Sequence, residues 1–186
     1  MKKYGILTEK EIRKLCRRDP PLISPCFERG GFPSRGLSFC GYDITLGSRF
    51  VELQGRQVLD PCGLVEAASV EVDGGGVYEL APHSVVLAES VEVFHLPRDV
   101  FGLVFGKSTW ARLGLLVNAT PMEPGWHGRL TLELANLTGA RIRLYPGRGI
   151  AQAVFFRVGR TRGYRGRYQG QTGIRFPTEV CDVRAG

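Results

Sequence analysis

At 186 residues, 43% of them hydrophobic and 23% charged, the chain is long enough to bury one core without covalent staples, and it reads as a single domain over 1–186. Its formal net charge of +7 suits a polyanionic partner, either a nucleotide or a nucleic acid. No apolar run approaches the roughly 20 residues of a membrane helix, and Met1-Lys2-Lys3 has no signal-like stretch behind it; no membrane partner is expected, and the expected location is cytoplasmic.

The first element is a helix. Thr8 with Glu11 three residues on makes a capping box, Leu7 and Ile12 can form a staple, Arg17 and Arg18 suit the helix end, and Pro20-Pro21 stops it. Gly30–Gly36 and Asp73-Gly74-Gly75-Gly76 read as exposed loops. Between such breaks, short β-branched and aromatic runs predict many short strands: 42–46, 49–53, 77–80, 85–88, 101–105, 115–117, 129–135, 141–144 and 151–157. Cys16, Cys26, Cys40, Cys62 and Cys181 form no disulfide framework. They read as mostly buried thiols of a reducing compartment, with Cys26–Cys40 or Cys26–Cys62 the alternatives if a bridge forms.

Polar residues concentrate at Gly106-Lys107-Ser108-Thr109-Trp110-Ala111-Arg112. Phe101 to Phe105 reads as a buried strand that Gly106 lets turn, after which Ser108 or Thr109 caps a short helical turn. Free N–H groups beside Lys107 would favour an anion, and Ser108 and Arg112, four residues apart, share one face. Lys107 is the only lysine after Lys14. The segment is not a P-loop, because the first glycine of that motif would fall at Phe101.

About twenty residues later, Leu130, Leu132 and Leu134 point to one side of a strand, and Arg129, Thr131, Glu133 and Ala135 to the other. A glutamate on such a face is ordinarily solvated. An unpaired carboxylate sheltered from water instead costs several kcal/mol or holds a proton.

Together these segments resemble the dCTP deaminase family of the dUTPase-like superfamily. The likeness rests on Gly41-Tyr42-Asp43-Ile44-Thr45-Leu46-Gly47, on 106–115, on Val117–Trp126, on Thr131–Asn136, on Leu144-Tyr145-Pro146-Gly147 with Ile150-Ala151-Gln152, and on Gly166–Gly173. The resemblance implies a mainly β fold, a distorted β-barrel or jelly-roll-like dUTPase fold with an N-terminal helix, assembled as a homotrimer with active sites between subunits. It implies hydrolytic deamination of dCTP to dUTP and ammonia, with Mg2+ carried by the triphosphate, no zinc, and dTTP a candidate inhibitor.

Carried over by position, Glu133 is the implied proton shuttle, and Arg112 and Ser108 orient the water and base. Lys107, Ser108 and Thr109 are implied triphosphate contacts, and Trp110 and Ala111 of the same turn are implied nucleotide-binding residues. Thr131, Leu132 and Glu133 read the cytosine edge, and Glu123 lies near the sugar. Gln152, Arg167, Gln171 and a tail tyrosine, assigned to Tyr164, complete the implied nucleotide contacts, with 159–186 a segment that closes over the phosphates.

Four features depart from the commonest family pattern: Lys107 for arginine, Glu123 for aspartate, a shorter stretch between Arg112 and Glu133, and the displaced tail tyrosine. The acid at position 123 keeps open a dUTPase or bifunctional enzyme that releases dUMP. A zinc-dependent deaminase would need an H-x-E and a P-C-x-x-C ligand set, and neither occurs; His83, His95 and His127 lie apart in the chain. Two readings from other classes are a non-catalytic nucleotide sensor and a basic β-barrel that binds nucleic acid through the arginines of 157–167 around Tyr164. The enzyme reading expects no nucleic-acid partner.

Overall fold

The computed structural model describes residues 4–53, 59, 66–73 and 75–176. These contain β1 (Gly5–Ile6), α1 (Glu9–Cys16), β2 (Ile23–Ser24), β3 (Gly36–Ser38), β4 (Gly41–Leu53), β5 (Ala67–Glu71), β6 (Tyr78–Leu80), β7 (Val85–His95), β8 (Val100–Gly106), α2 (Ser108–Ala111), β9 (Leu115–Asn118), β10 (His127–Asn136), β11 (Ile142–Leu144) and β12 (Gly149–Arg157). The main sheet runs β1-β12-β4-β7-β10-β9, with β8 on β12, β3 and β5 on β4, and β2 on β7; β6 and β11 form a separate pair. The fold is mainly β with an N-terminal helix.

The capping box predicted for the helix is present. Thr8 N and Thr8 Oγ1 both donate to Glu11 Oε2, at 2.9 and 2.8 Å, and Leu7, Ile12 and Leu15 are buried. The alternation of β10 also holds: Leu130, Leu132 and Leu134 are buried while Arg129, Thr131, Glu133 and Ala135 are partly exposed. Each fully buried leucine or phenylalanine contributes about 1.5–3 kcal/mol, and Phe50, Phe94 and Phe155 anchor this core.

Several expectations are corrected. The strands expected at 42–46 and 49–53 are one continuous element, β4, because Gly47-Ser48 makes no turn. The register with β7 shifts between Leu46 and Phe50, and a Cβ at Gly47 would stand 2.8 Å from Glu89 O, so the glycine marks an irregularity inside the strand. β8 is only half-buried, with Phe105 53% exposed. The 30–36 loop is not wholly exposed: Pro33 and Gly36 are buried, and a Cβ at Gly149 would collide with Ser34 O at 1.7 Å. β1, β2, β3 and β5 escaped prediction because strands of two to five residues are too short to show a period.

Of the cysteines, Cys16 and Cys26 are half-buried and Cys40 is exposed, all as free thiols. Cys26 is hydrogen-bonded to Cys16, not bridged to Cys40. Cys62 and Cys181 lie outside the described residues, as do Gly74 and the tail beyond 176.

Candidate active site

The outward face of β10 forms one wall of a cavity of about 520 Å³, lined by Thr131 and Glu133 together with Leu87 of β7, the 120–123 segment and Trp126. Register across the β9–β10 pair sets Asn118 opposite Glu133, and Asn118 Nδ2 donates to Glu133 Oε2 at 2.9 Å. Burial pushes the Glu133 carboxyl above the ordinary carboxylate range, and the amide hydrogen bond pulls part of the way back.

The opposite wall comes from the tail, with Tyr164, Tyr168 and Gln171 lining the same cavity. Gln171 Nε2 donates to Thr131 Oγ1 at 2.6 Å and to Arg129 O at 3.1 Å, while Arg129 N donates to Gln171 O at 2.8 Å. Gly128 allows this approach: its φ is +150°, and a Cβ there would come within 2.7 Å of Gln171 O. Trp126 Nε1 donates to Tyr168 O at 2.8 Å, and Tyr164 N to Pro124 O at 2.8 Å. The described part of the tail therefore lies against its own chain.

The Lys107 turn is built differently from its expectation. Lys107, not Ser108 or Thr109, is the N-cap of α2, and its ammonium is no free anion receptor. Lys107 Nζ lies 2.5 Å from Asp43 Oδ2, with the two side chains only 12% and 2% exposed. Ser34 Oγ donates to the same oxygen at 2.8 Å, Lys107 Nζ donates to Ser34 Oγ at 3.2 Å, and Gln152 Nε2 donates to Asp43 Oδ1 at 3.2 Å. Asp43 thus ties β4, β12, the 30–36 loop and the turn into one network. Trp110 is buried and donates from Nε1 to Gly149 O at 2.8 Å.

Of the expected site residues, Glu123, Thr131, Glu133, Tyr164 and Gln171 meet in the first cavity. Lys107, Ser108, Thr109 and Gln152 line another, of about 720 Å³, beside Arg29. Ala111 and Arg112 are exposed, and the Arg112 guanidinium makes no hydrogen bond or ion pair among the described residues. The Leu132 side chain is fully buried in the core, so only its backbone can face a ligand. Arg167 is exposed and lines neither cavity.

Asn118, Tyr168 and Asp43 were not singled out. Asn118 and Asp43 both sit within the quoted motifs, but their roles depend on strand register. Among the described residues no group of three or more His, Cys, Asp or Glu side chains is placed to hold a metal ion, and no helix is long and apolar enough to cross a membrane.

A solved structure of 2'-deoxycytidine 5'-triphosphate deaminase from Agrobacterium tumefaciens shares this fold, with a TM-score of 0.66 at 19% identity over 83% of this chain; the match covers 48% of that chain, so the present one spans about half its length. The mainly β architecture is therefore that of a known fold. The chain belongs to the dCTP deaminase-like family, whose pattern matches residues 6–158. It is 35% identical to a dCTP deaminase of Helicobacter hepaticus, over 95% of this chain and 99% of the relative. It is 39% identical to one of Herpetosiphon aurantiacus, over 93% of this chain and 98% of the relative.

Proposed function

We propose that the protein hydrolyses dCTP to dUTP and ammonia, feeding the dUMP and dTTP precursor pool. Relatives named dCTP deaminase support the reaction, and the observation that carries it is the sheltered Glu133 carboxylate held by the Asn118 amide. Water adds to C4 of cytosine while Glu133 takes one of its protons and passes it to N3. Glu133 then moves the proton of the new C4 hydroxyl to the exocyclic amine, the C4–N4 bond breaks, and ammonia leaves as the C4 carbonyl forms. A carboxyl whose pKa is raised toward neutrality serves better as both base and acid.

The cation that would steer this carboxylate is assigned to a neighbouring copy. Arg112 and Ser108 of one subunit are proposed to complete the Glu133 cavity of the next in a homotrimer, with Lys107 and Thr109 contributing near the phosphates. The Arg112 guanidinium, without a hydrogen bond or ion pair among the described residues, supports this arrangement. So do Leu113, Leu116 and Leu137, which remain more than half exposed around the same turn, since apolar clusters of this kind mark interaction surfaces. Gln171, Tyr164 and Arg167 are assigned to the nucleotide from the tail. Mg2+ is proposed to arrive bound to the triphosphate, with no protein cage of its own.

A second reading, release of pyrophosphate to give dUMP, is favoured by one observation: Glu123 lines the same cavity as Glu133, so a second acid is available there. Incubation with dCTP and separately with dUTP, assaying ammonia and pyrophosphate, tests both. Ammonia from dCTP without pyrophosphate is expected. Pyrophosphate together with ammonia establishes the bifunctional enzyme, and absence of ammonia overturns the deaminase, with pyrophosphate from dUTP then marking a dUTPase. Tight, salt-sensitive oligonucleotide binding that survives Glu133→Ala would point instead to a nucleic-acid binder.

A further inference from the structure

Trp126 separates the Glu133 cavity from another depression of about 650 Å³, and lines both. Arg18 reaches it from just beyond α1, Arg98 from the β7–β8 turn, and Arg160 from the chain after β12. None of the three guanidiniums makes a hydrogen bond or ion pair among the described residues. The acids on the same rim are Asp19 and Asp99, and Asp99 is engaged by Arg157 at 3.3 Å. Positive charge on this rim is therefore only partly neutralised.

The floor adds two imidazoles. Register between β7 and β10 sets His127 opposite His95, and their rings stack with centroids 5.5 Å apart and planes 3° from parallel. The two histidines, remote in sequence, are thus neighbours in space. His95 Nδ1 is buried and has no hydrogen-bond partner among the described residues. Burial and the facing His127 ring hold His95 below the ordinary imidazole pKa, because two stacked imidazolium ions repel. An entering anion would offset that repulsion and favour a protonated His95.

We infer that this depression binds a phosphate-bearing anion, gripped by the Arg18, Arg98 and Arg160 guanidiniums over the stacked His95–His127 pair. Guanidinium forks match phosphate oxygens, and the opening is large enough for a pyrophosphate. The site also bears on the tail: His127 N donates to Gln169 Oε1 at 3.1 Å, and Gly170 N donates to His127 O at 2.9 Å. An anion held there steadies the segment whose next residue, Gln171, walls the Glu133 cavity.

NMR of the histidine ring protons during titration with inorganic pyrophosphate tests the site in the full chain. The exposed His83 serves as the internal control among only three histidines. The His95 and His127 signals should move and saturate, with tighter binding at pH 6 than at pH 8, while His83 stays put. The double variant Arg98→Gln/Arg160→Gln should bind about tenfold more weakly, equivalent to 1.4 kcal/mol, with unchanged melting and unchanged turnover at saturating dCTP.

Pyrophosphate should also move the two rings in Glu133→Gln already loaded with dCTP. Rings that respond only to a nucleoside triphosphate, with the same loss in the double variant, would identify nucleotide phosphates as the source and still support the site. Silent rings with both probes, or equal affinity in the double variant, would overturn it; the wild-type titration decides even if the double variant fails to fold.

Discussion

Two carboxylates on neighbouring regions of the same sheet receive opposite treatment. Asp43, nearly inaccessible, is met by Lys107, Ser34 and Gln152. Glu133, half-exposed, is met by the Asn118 amide and its own backbone N–H, and is pushed toward its protonated form. A buried charge with its full set of donors is a scaffold, because nothing is gained by changing its state. A sheltered carboxylate short of donors can exchange protons at modest cost, which is what proton transfer needs.

The largest effect should come from Glu133→Gln. It keeps the shape and loses the proton exchange, so ammonia release from dCTP should fall by about 10²–10⁴-fold with nucleotide binding retained; normal turnover would remove the contrast at its root. Asp43→Ala attacks the scaffold side. Leaving Lys107 almost buried without its partner should cost about 3–5 kcal/mol, lowering the melting temperature by roughly 10 °C. A calorimetric scan showing no change would mean the network is not structural.

Arg112→Ala joins the two regions across subunits. Turnover should fall roughly 10²–10³-fold, while the monomer's own packing, which the exposed guanidinium does not serve, is unaffected. An undiminished rate would leave Glu133 without its proposed cation. The smallest and most diagnostic change is Asn118→Ala. Its amide stabilises the ionised form of Glu133, so removing it raises the carboxyl pKa further. The acid limb of the pH–rate profile should move to higher pH, with little change well above it; a shift toward lower pH would contradict the hydrogen bond's role.

The N-terminal helix was legible because its signals are local: a threonine, a glutamate three residues on and a flanking apolar pair act within one turn of chain. The two faces of β10 were legible for the same reason, since a period of two needs no knowledge of neighbours. Glu133 stood out through that period combined with the family resemblance. Asn118 did not, because its meeting with Glu133 depends on which residue of β9 stands opposite. The Lys107 turn was placed correctly in the chain, yet the availability of its charge was misread: local sequence shows a cation beside a helix start, while its partner Asp43 lies more than sixty residues away on another strand.

The amino-acid sequence by itself determined the mainly β class, the capped helix, the leucine face of β10 and the family, all of which rest on local periodicity or on residues in fixed order. Tertiary structure alone decided which charges are spent and which are available. It buried Lys107 on Asp43, left Arg112 exposed, stacked His95 on His127, and laid the tail along the Glu133 cavity. Those outcomes follow from strand register and from close backbone approach, which are properties of paired segments and are encoded in no single one of them.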